Sequence, residues 1–217
     1  QHVENMLQLG AGEASFLRRT LHTLSGYSKL LAIARNVRSA LMYKTASSSK
    51  SDDWEKARQF AAAHADYCQV FESDKLKTIF TSEYRLSALD LNDVRIAEGH
   101  QIALRAIKRM NESATSGNIQ YIVALIPTKE LVFREVWHNP AASYRTLIGN
   151  EERMWQATKK YLDQNNIKYV DTLPALRAQL QRGIQPYPVS HDGHPGEYGH
   201  AAIAESVAEY LKMPEKK

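Results

Sequence analysis

The sequence holds one cysteine, Cys68, among its 217 residues. That excludes an intrachain disulfide and leaves no cysteine pair at metal-ligand spacing. In HADYCQVF the residue reads as a small buried hydrophobe. No stretch approaches the roughly 18 consecutive apolar residues of a membrane-spanning helix, so no membrane-spanning segment is expected. The opening QHVENMLQLGAGEASF has no basic region followed by an apolar core, so it is not a signal peptide. It also lacks an initiator Met, and Gln1 is not expected to be where translation began. An excess of one charge is missing too. Lys and Arg total 28 against 24 Asp and Glu, a net charge of +4. The two signs are interspersed, as in EERMWQATKKYLDQ, and no basic stripe alternates with aromatics. A nucleic-acid partner is therefore not expected.

What is present is the composition of an ordinary folded domain, with 43% hydrophobic and 24% charged residues. The length suits one α/β domain or part of a larger one. Residues 15–43 carry two helix-like segments split at Ser25-Gly26; in the second, Leu30, Ile33, Ala34, Val37 and Leu41 line one face. The run KTASSSKSDD, residues 44–53, reads as a solvated loop in which Ser51 or Asp52 caps a helix over 54–65. Residues 1–53 are thus a helical segment and loop, and residues 54–217 the α/β part. Short strands are expected at 67–71 and 76–80. Asn92 or Asp93 opens a helix to about Ser113, with Ile96, Ile102, Ala103, Ala106, Ile107 and Met110 as its apolar stripe. IQYIVALI, residues 119–126, is the clearest strand, and Pro127 ends it. A short helix over 130–137, the loop HNPAAS, a helix over 151–165, a strand at 167–170 and a helix over 174–182 follow. A loop spans 185–195, and a last helix covers 197–211.

The second half therefore alternates helix and strand with short connections, the order of parallel strands joined by crossover helices. IQYIVALI is apolar almost throughout, the pattern of a parallel strand buried on both faces. Such a strand needs hydrogen-bonded neighbours, since each buried unpaired backbone group costs about 1–3 kcal/mol. Only residues 167–170 offer a convincing one. The first strands of the sheet are expected upstream of Gln1 or, failing that, on another chain.

The densest chemistry lies in SHDGHPGEYGH, which places His191, Asp192, His194 and His200 within ten residues, after the last strand and at the mouth of a helix. Three readings compete. Asp192 and His194, two apart around Gly193, suit a general base held by a carboxylate, the pair that activates a serine hydroxyl. All four residues are competent zinc ligands, although two are adjacent and none form an i, i+4 pair. Alternatively, Asp192 or another polar residue caps the last helix and the histidines are surface residues.

DGHPGEYGHAAIAESVAEYL resembles the final block of GDSL-type (SGNH) hydrolases, where an Asp and a His precede a small turn, a Gly-His and a closing amphipathic helix. RLSALDLNDVRIAEGHQIAL resembles that family's lead into the helix before its penultimate strand, IQYIVALIPTKELVF that strand and its exit, and VDTLPALRAQ the segment after the next strand. Together these blocks cover residues 86–211. The resemblance implies a flavodoxin-like three-layer parallel sheet, here helix-rich and missing its first strands. It also implies a serine-type ester hydrolase or O-acyltransferase that uses no metal or cofactor, with His194 as general base and Asp192 orienting it. The implied substrate is an acyl ester, for instance an O-acylated carbohydrate, in a setting outside the cytoplasm. Many members carry the acid three residues before the His, where this chain has His191, and an Asn after the His-Pro, where it has Gly196. The family's Gly-Asp-Ser nucleophile block, its oxyanion Gly and its Asn are not in the sequence. GEAS, residues 12–15, follows no strand; Ser15 reads as a helix cap and Gly10-Ala11-Gly12 is not a phosphate loop. The whole chain is accordingly expected to be the C-terminal part of one hydrolase domain and inactive without the segment bearing the serine. The alternative is a non-catalytic relative that binds a glycan or a protein.

Overall fold

The computed structural model describes residues Lys50 to Lys212. The two helix-like segments expected at 15–43, and Ser15 with its neighbours, lie outside the described residues. From Asp52 onward the chain forms one compact unit, mixed α/β and rich in helix. Its elements are α1 (Lys50–Ala63), a hairpin of β1 (Gln69–Glu72) and β2 (Lys77–Phe80), α2 (Ser82–Arg85) running into a 3-10 turn (Leu86–Leu89), and α3 (Val94–Ser116). Then come β3 (Val123–Leu125), α4 (Lys129–Phe133), α5 (Ala142–Gln164), β4 (Tyr169–Asp171), α6 (Leu173–Gln181) and α7 (Glu197–Lys212). No helix among the described residues is long and apolar enough to cross a membrane.

The expected order of elements is present, with shifted boundaries. Helix α1 begins at Lys50, so Ser51 and Asp52 sit in its first turn rather than capping it. Helix α5 begins at Ala142, nine residues before the expected start, because SYRTLI turns its apolar side inward: Tyr144, Leu147 and Ile148 are buried. The two short strands form an antiparallel hairpin in the register Gln69 to Phe80 and Glu72 to Lys77. Ser73 closes its turn, its hydroxyl accepting from the Leu76 amide at 3.1 Å.

The parallel pair is β3 with β4, Val123 opposite Tyr169 and Leu125 opposite Asp171, with α5 on the connection between them. Thr172 extends the pairing, its amide and hydroxyl both donating to the Leu125 carbonyl at 3.3 and 2.7 Å. Two expectations are corrected here. IQYIVALI is a strand over only three residues, and it is not buried on both faces: Ile119 is 66% and Ile126 52% exposed. Among the described residues strand β3 pairs with β4 alone, so no described strand lies on its second edge or lengthens its ladder. The stripe assigned to α3 is only in part its core face: of its six residues Ile96 and Ile107 are half-buried. Leu104 is its buried residue, and His100, one turn earlier, bonds the Thr158 hydroxyl of α5 at 2.9 Å. Ile102 and Met110 are exposed, as are Ala103 and Ala106. The helix carries apolar residues on two sides, and only one of them is covered.

The main core joins Phe71 and Phe80 of the hairpin to Leu131, Val132 and Phe133 of α4, Tyr144 and Ile148 of α5, Leu176 and Leu180 of α6, and Tyr187. Phe80 stacks on Trp137 at 4.9 Å between ring centroids and meets Phe133 and Tyr144 edge-on at 5.4 and 5.1 Å. A smaller cluster of Trp54, Ala57, Ala61, Cys68 and Ile79 seats α1 on the hairpin. Cys68 is buried, and desolvation pushes its thiol up. The hairpin, α4 and the segment 185–195 therefore share one packed centre, which fixes the loop carrying the histidines.

Candidate active site

Residues 190–196 form the loop between α6 and α7. Its backbone is tied at both ends. At its far end the Gly196 amide donates to the Pro186 carbonyl at 2.8 Å, while the Gly196 carbonyl accepts the His200 amide at 2.8 Å and starts α7. Gly199 lies so close that a β-carbon there would stand 2.3 Å from the Pro186 oxygen, which explains the Gly-His at this point of the helix. At its near end, the Thr78 hydroxyl donates to the carbonyls of Pro188 at 2.9 Å and Ser190 at 3.3 Å.

Between these ties the structure brings Asp192 and His194 together. Asp192 Oδ1 accepts from the His194 amide at 3.0 Å and lies 2.7 Å from His194 Nδ1. One oxygen thus holds both the backbone and the ring of the residue two positions on. These bonds, the backbone one foremost, hold the Asp192 carboxyl below the usual carboxylate range; the nearby Lys129 adds to them. The ring meets little else, its side chain being 90% exposed. The tautomer this favours has Nδ1–H donating to the carboxylate and Nε2 as acceptor, the arrangement of a general base.

The other histidines do not join them. His191 stacks on Phe60 of α1 at 4.1 Å between ring centroids, and His200 lies within α7. Among the described residues no group of three or more His, Cys, Asp or Glu is placed to hold a metal ion. The Asp192 carboxylate is spent on His194 rather than on a cap of α7, while His191, His194 and His200 are all exposed, as the third reading has them. Asp192 N donates to Ser190 Oγ at 3.3 Å, and no serine hydroxyl bonds His194 among the described residues.

Beneath this loop lies a set of charged residues to which the sequence reading gave no role. They follow β3 in IPTKELVF. Lys129 and Glu130 are both fully buried in α4. Lys129 Nζ donates to the carbonyls of Ile79, Ser190 and Asp192 at 2.7, 3.0 and 3.0 Å and to Thr78 Oγ1 at 3.1 Å. Burial pulls its pKa down to about 8. Glu130 Oε2 accepts from Arg85 Nη1 at 3.2 Å. The other edge of that guanidinium lies against Gly193, where a β-carbon would stand 2.1 Å from Nη2. The segment itself is clamped by Tyr187 on the Pro127 carbonyl at 3.1 Å, Tyr144 on that of Glu130 at 2.6 Å and Arg177 on that of Leu131 at 3.1 Å. The available signal was a Lys-Glu pair set between a strand exit and an apolar Leu-Val-Phe, where charges are costly unless partnered.

Glu151 of α5 completes the support. Its carboxylate accepts from the Thr128 amide at 2.8 Å and from the Thr128 hydroxyl. Burial nevertheless raises its pKa, which favours the neutral acid. A raised folded pKa gives stability that is complete below the unfolded value, about 4.3, and is lost as pH climbs through the folded value. Glu151→Gln keeps an acceptor for the Thr128 amide without the charge. Thermal melts should therefore show the variant gaining on the parent between pH 4 and pH 7; a difference that stays flat across this range rejects the assignment.

Comparison with protein-family models, characterised proteins and solved structures finds no match for this chain.

Proposed function

We propose that this chain is the C-terminal portion of a GDSL-type (SGNH) serine ester hydrolase or O-acyltransferase on a flavodoxin-like parallel sheet, acting on an acyl ester such as an O-acylated carbohydrate. One observation carries the reading: Asp192 Oδ1 lies 2.7 Å from His194 Nδ1 in a loop next to the exit of a parallel strand, with the rest of the imidazole in solvent. Active sites of open α/β sheets gather at that edge. In this chemistry His194 Nε2 takes the proton of a serine hydroxyl as its oxygen attacks the acyl carbonyl, then gives it to the departing alcohol. Water or a second alcohol, deprotonated by the same nitrogen, then breaks the acyl-enzyme. Asp192 keeps the ring in the required tautomer and balances the imidazolium charge.

The nucleophile and its oxyanion donors belong, on this reading, to strands outside the chain. That β3 pairs with one strand among the described residues, with Ile119 and Ile126 exposed, supports that arrangement. A serine-directed phosphonate probe is accordingly expected to leave the purified chain unlabelled. Stoichiometric labelling, read by mass spectrometry, would place the nucleophile within these 217 residues and sink the division of the site.

A second reading, a non-catalytic SGNH-like module that binds a glycan or a protein, is favoured by the solvent-bathed imidazole with no serine hydroxyl bonded to it among the described residues. An upstream coding segment without a Gly-Asp-Ser block would decide for it.

A further inference from the structure

We infer that Lys129 is the positioning residue of the Asp192–His194 pair: its ammonium binds the loop carbonyls of Ser190 and Asp192 to Ile79 and Thr78 of β2, and so fixes the backbone from which both side chains project. This deepens the functional reading above, although the geometry stands without it. An ammonium has three protons, and here it faces four oxygens, all within 3.1 Å. Two of those oxygens belong to the loop and two to the strand beneath it. No carboxylate forms an ion pair with Lys129 among the described residues; its charge rests on carbonyl dipoles and on the flank of the Phe80 ring, 5.6 Å from the centroid.

A plain tie between strand and loop does not need a charge. Thr78 already provides one, with its hydroxyl on Pro188 and Ser190. Burying an ammonium is costly, and its lowered pKa records that cost. What the charge adds is a positive centre directly under the Asp192 backbone. It draws the Asp192 carbonyl down, so that the side chain is left to close its turn on the His194 amide and ring. It also adds, behind the bonds from His194, to what holds that carboxyl below its ordinary range. The titratable and charged groups around this carboxyl are His194, Lys129 and the Arg85 guanidinium beside Gly193. Lys129 itself faces Glu130, Arg85, Asp192 and Cys68.

The test is the titration of the Asp192 carboxyl, followed by carbon NMR in the intact chain. In the parent its midpoint lies below the ordinary range. In Lys129→Met it should rise by about one pH unit, the scale of a lost hydrogen bond and nearby charge, with loss of the proton resonance bridging Asp192 and His194. Lys129→Arg, which keeps the donors, should restore part of the shift. Should Lys129→Met fail to melt cooperatively, Thr78→Val loosens the same clamp with the ammonium kept, and should move the midpoint the same way by less. A folded variant of either kind with an unchanged Asp192 midpoint overturns the proposal. The readout needs no catalysis. A chain that shows these shifts, but whose serine-bearing parent hydrolyses no ester, refutes the functional reading and leaves the positioning role standing. In an active parent, Lys129→Met should lower kcat and leave KM nearly unchanged.

Discussion

In a protein that carries this chain together with the Gly-Asp-Ser segment proposed for it, His194→Ala is expected to lower turnover of an acyl ester at least ~10³-fold, the scale on which triad losses fall. The 2.7 Å contact with Asp192 makes the pair a unit, so Asp192→Asn should fall on a similar scale by leaving the ring in the wrong tautomer. Removing both should then cost little more than removing His194 alone, because groups that act in one step are not additive. The measurement is kcat/KM on a chromogenic acetyl ester for the two single variants and the double variant. Activity of His194→Ala within tenfold of the parent would dismiss the base. Full additivity of the two losses would dismiss the partnership while leaving each residue a role.

Phe80→Ala is expected to have the largest effect on stability. The ring is fully buried, stacked on Trp137 and edge-on to Phe71, Phe133 and Tyr144. Truncating it loses the transfer energy of the side chain and leaves a cavity, together about 3–5 kcal/mol. For a unit of this size that corresponds to a fall in Tm of about 10 °C. The damage should not stop at the core. Phe80 ends the strand whose Thr78 and Ile79 hold Lys129, so backbone shifts there should reach the 190–194 loop. Calorimetry gives the first effect and amide chemical shifts at 190–194 give the second. A loss below about 1 kcal/mol would mean that the neighbouring rings close over the gap.

What could be read ahead of the coordinates follows from how local each signal is. Asp93 was one of two residues expected to open the long helix, and it does cap α3, accepting from the Arg95 amide at 2.9 Å; that signal needs no information beyond a few residues. The Asp-Gly-His turn was legible for the same reason, since its bonds join residues two apart. The extent of β3 was not legible. Apolarity along 119–126 records what the segment is suited to touch, whereas ladder length depends on partners, and among the described residues β4 alone pairs with it. The stripe on α3 misled in part in the same way: Ile102 and Met110 are apolar yet exposed, while Leu104 is buried and His100 bonds Thr158 of α5. The burial of Lys129, Glu130 and Glu151 was hard to read because it is decided by partners remote in sequence: oxygens of residues 78–79 and 190–192 for Lys129, the Arg85 guanidinium for Glu130, and the Thr128 amide and hydroxyl for Glu151.

Among the described residues β3 has a strand on one edge only, which matters for handling. A strand edge with unsatisfied amides and carbonyls is a template, and any second polypeptide in extended form can dock on it. Here it is short, which limits its grip, but Ile119 and Ile126 beside it give an arriving segment something greasy to cover. Kept at high concentration by itself, the polypeptide supplies its own second copies. Light scattering that grows with concentration and fades when a matching strand peptide is added would be the signature of that stickiness, and substituting Ile126 with lysine the simplest remedy.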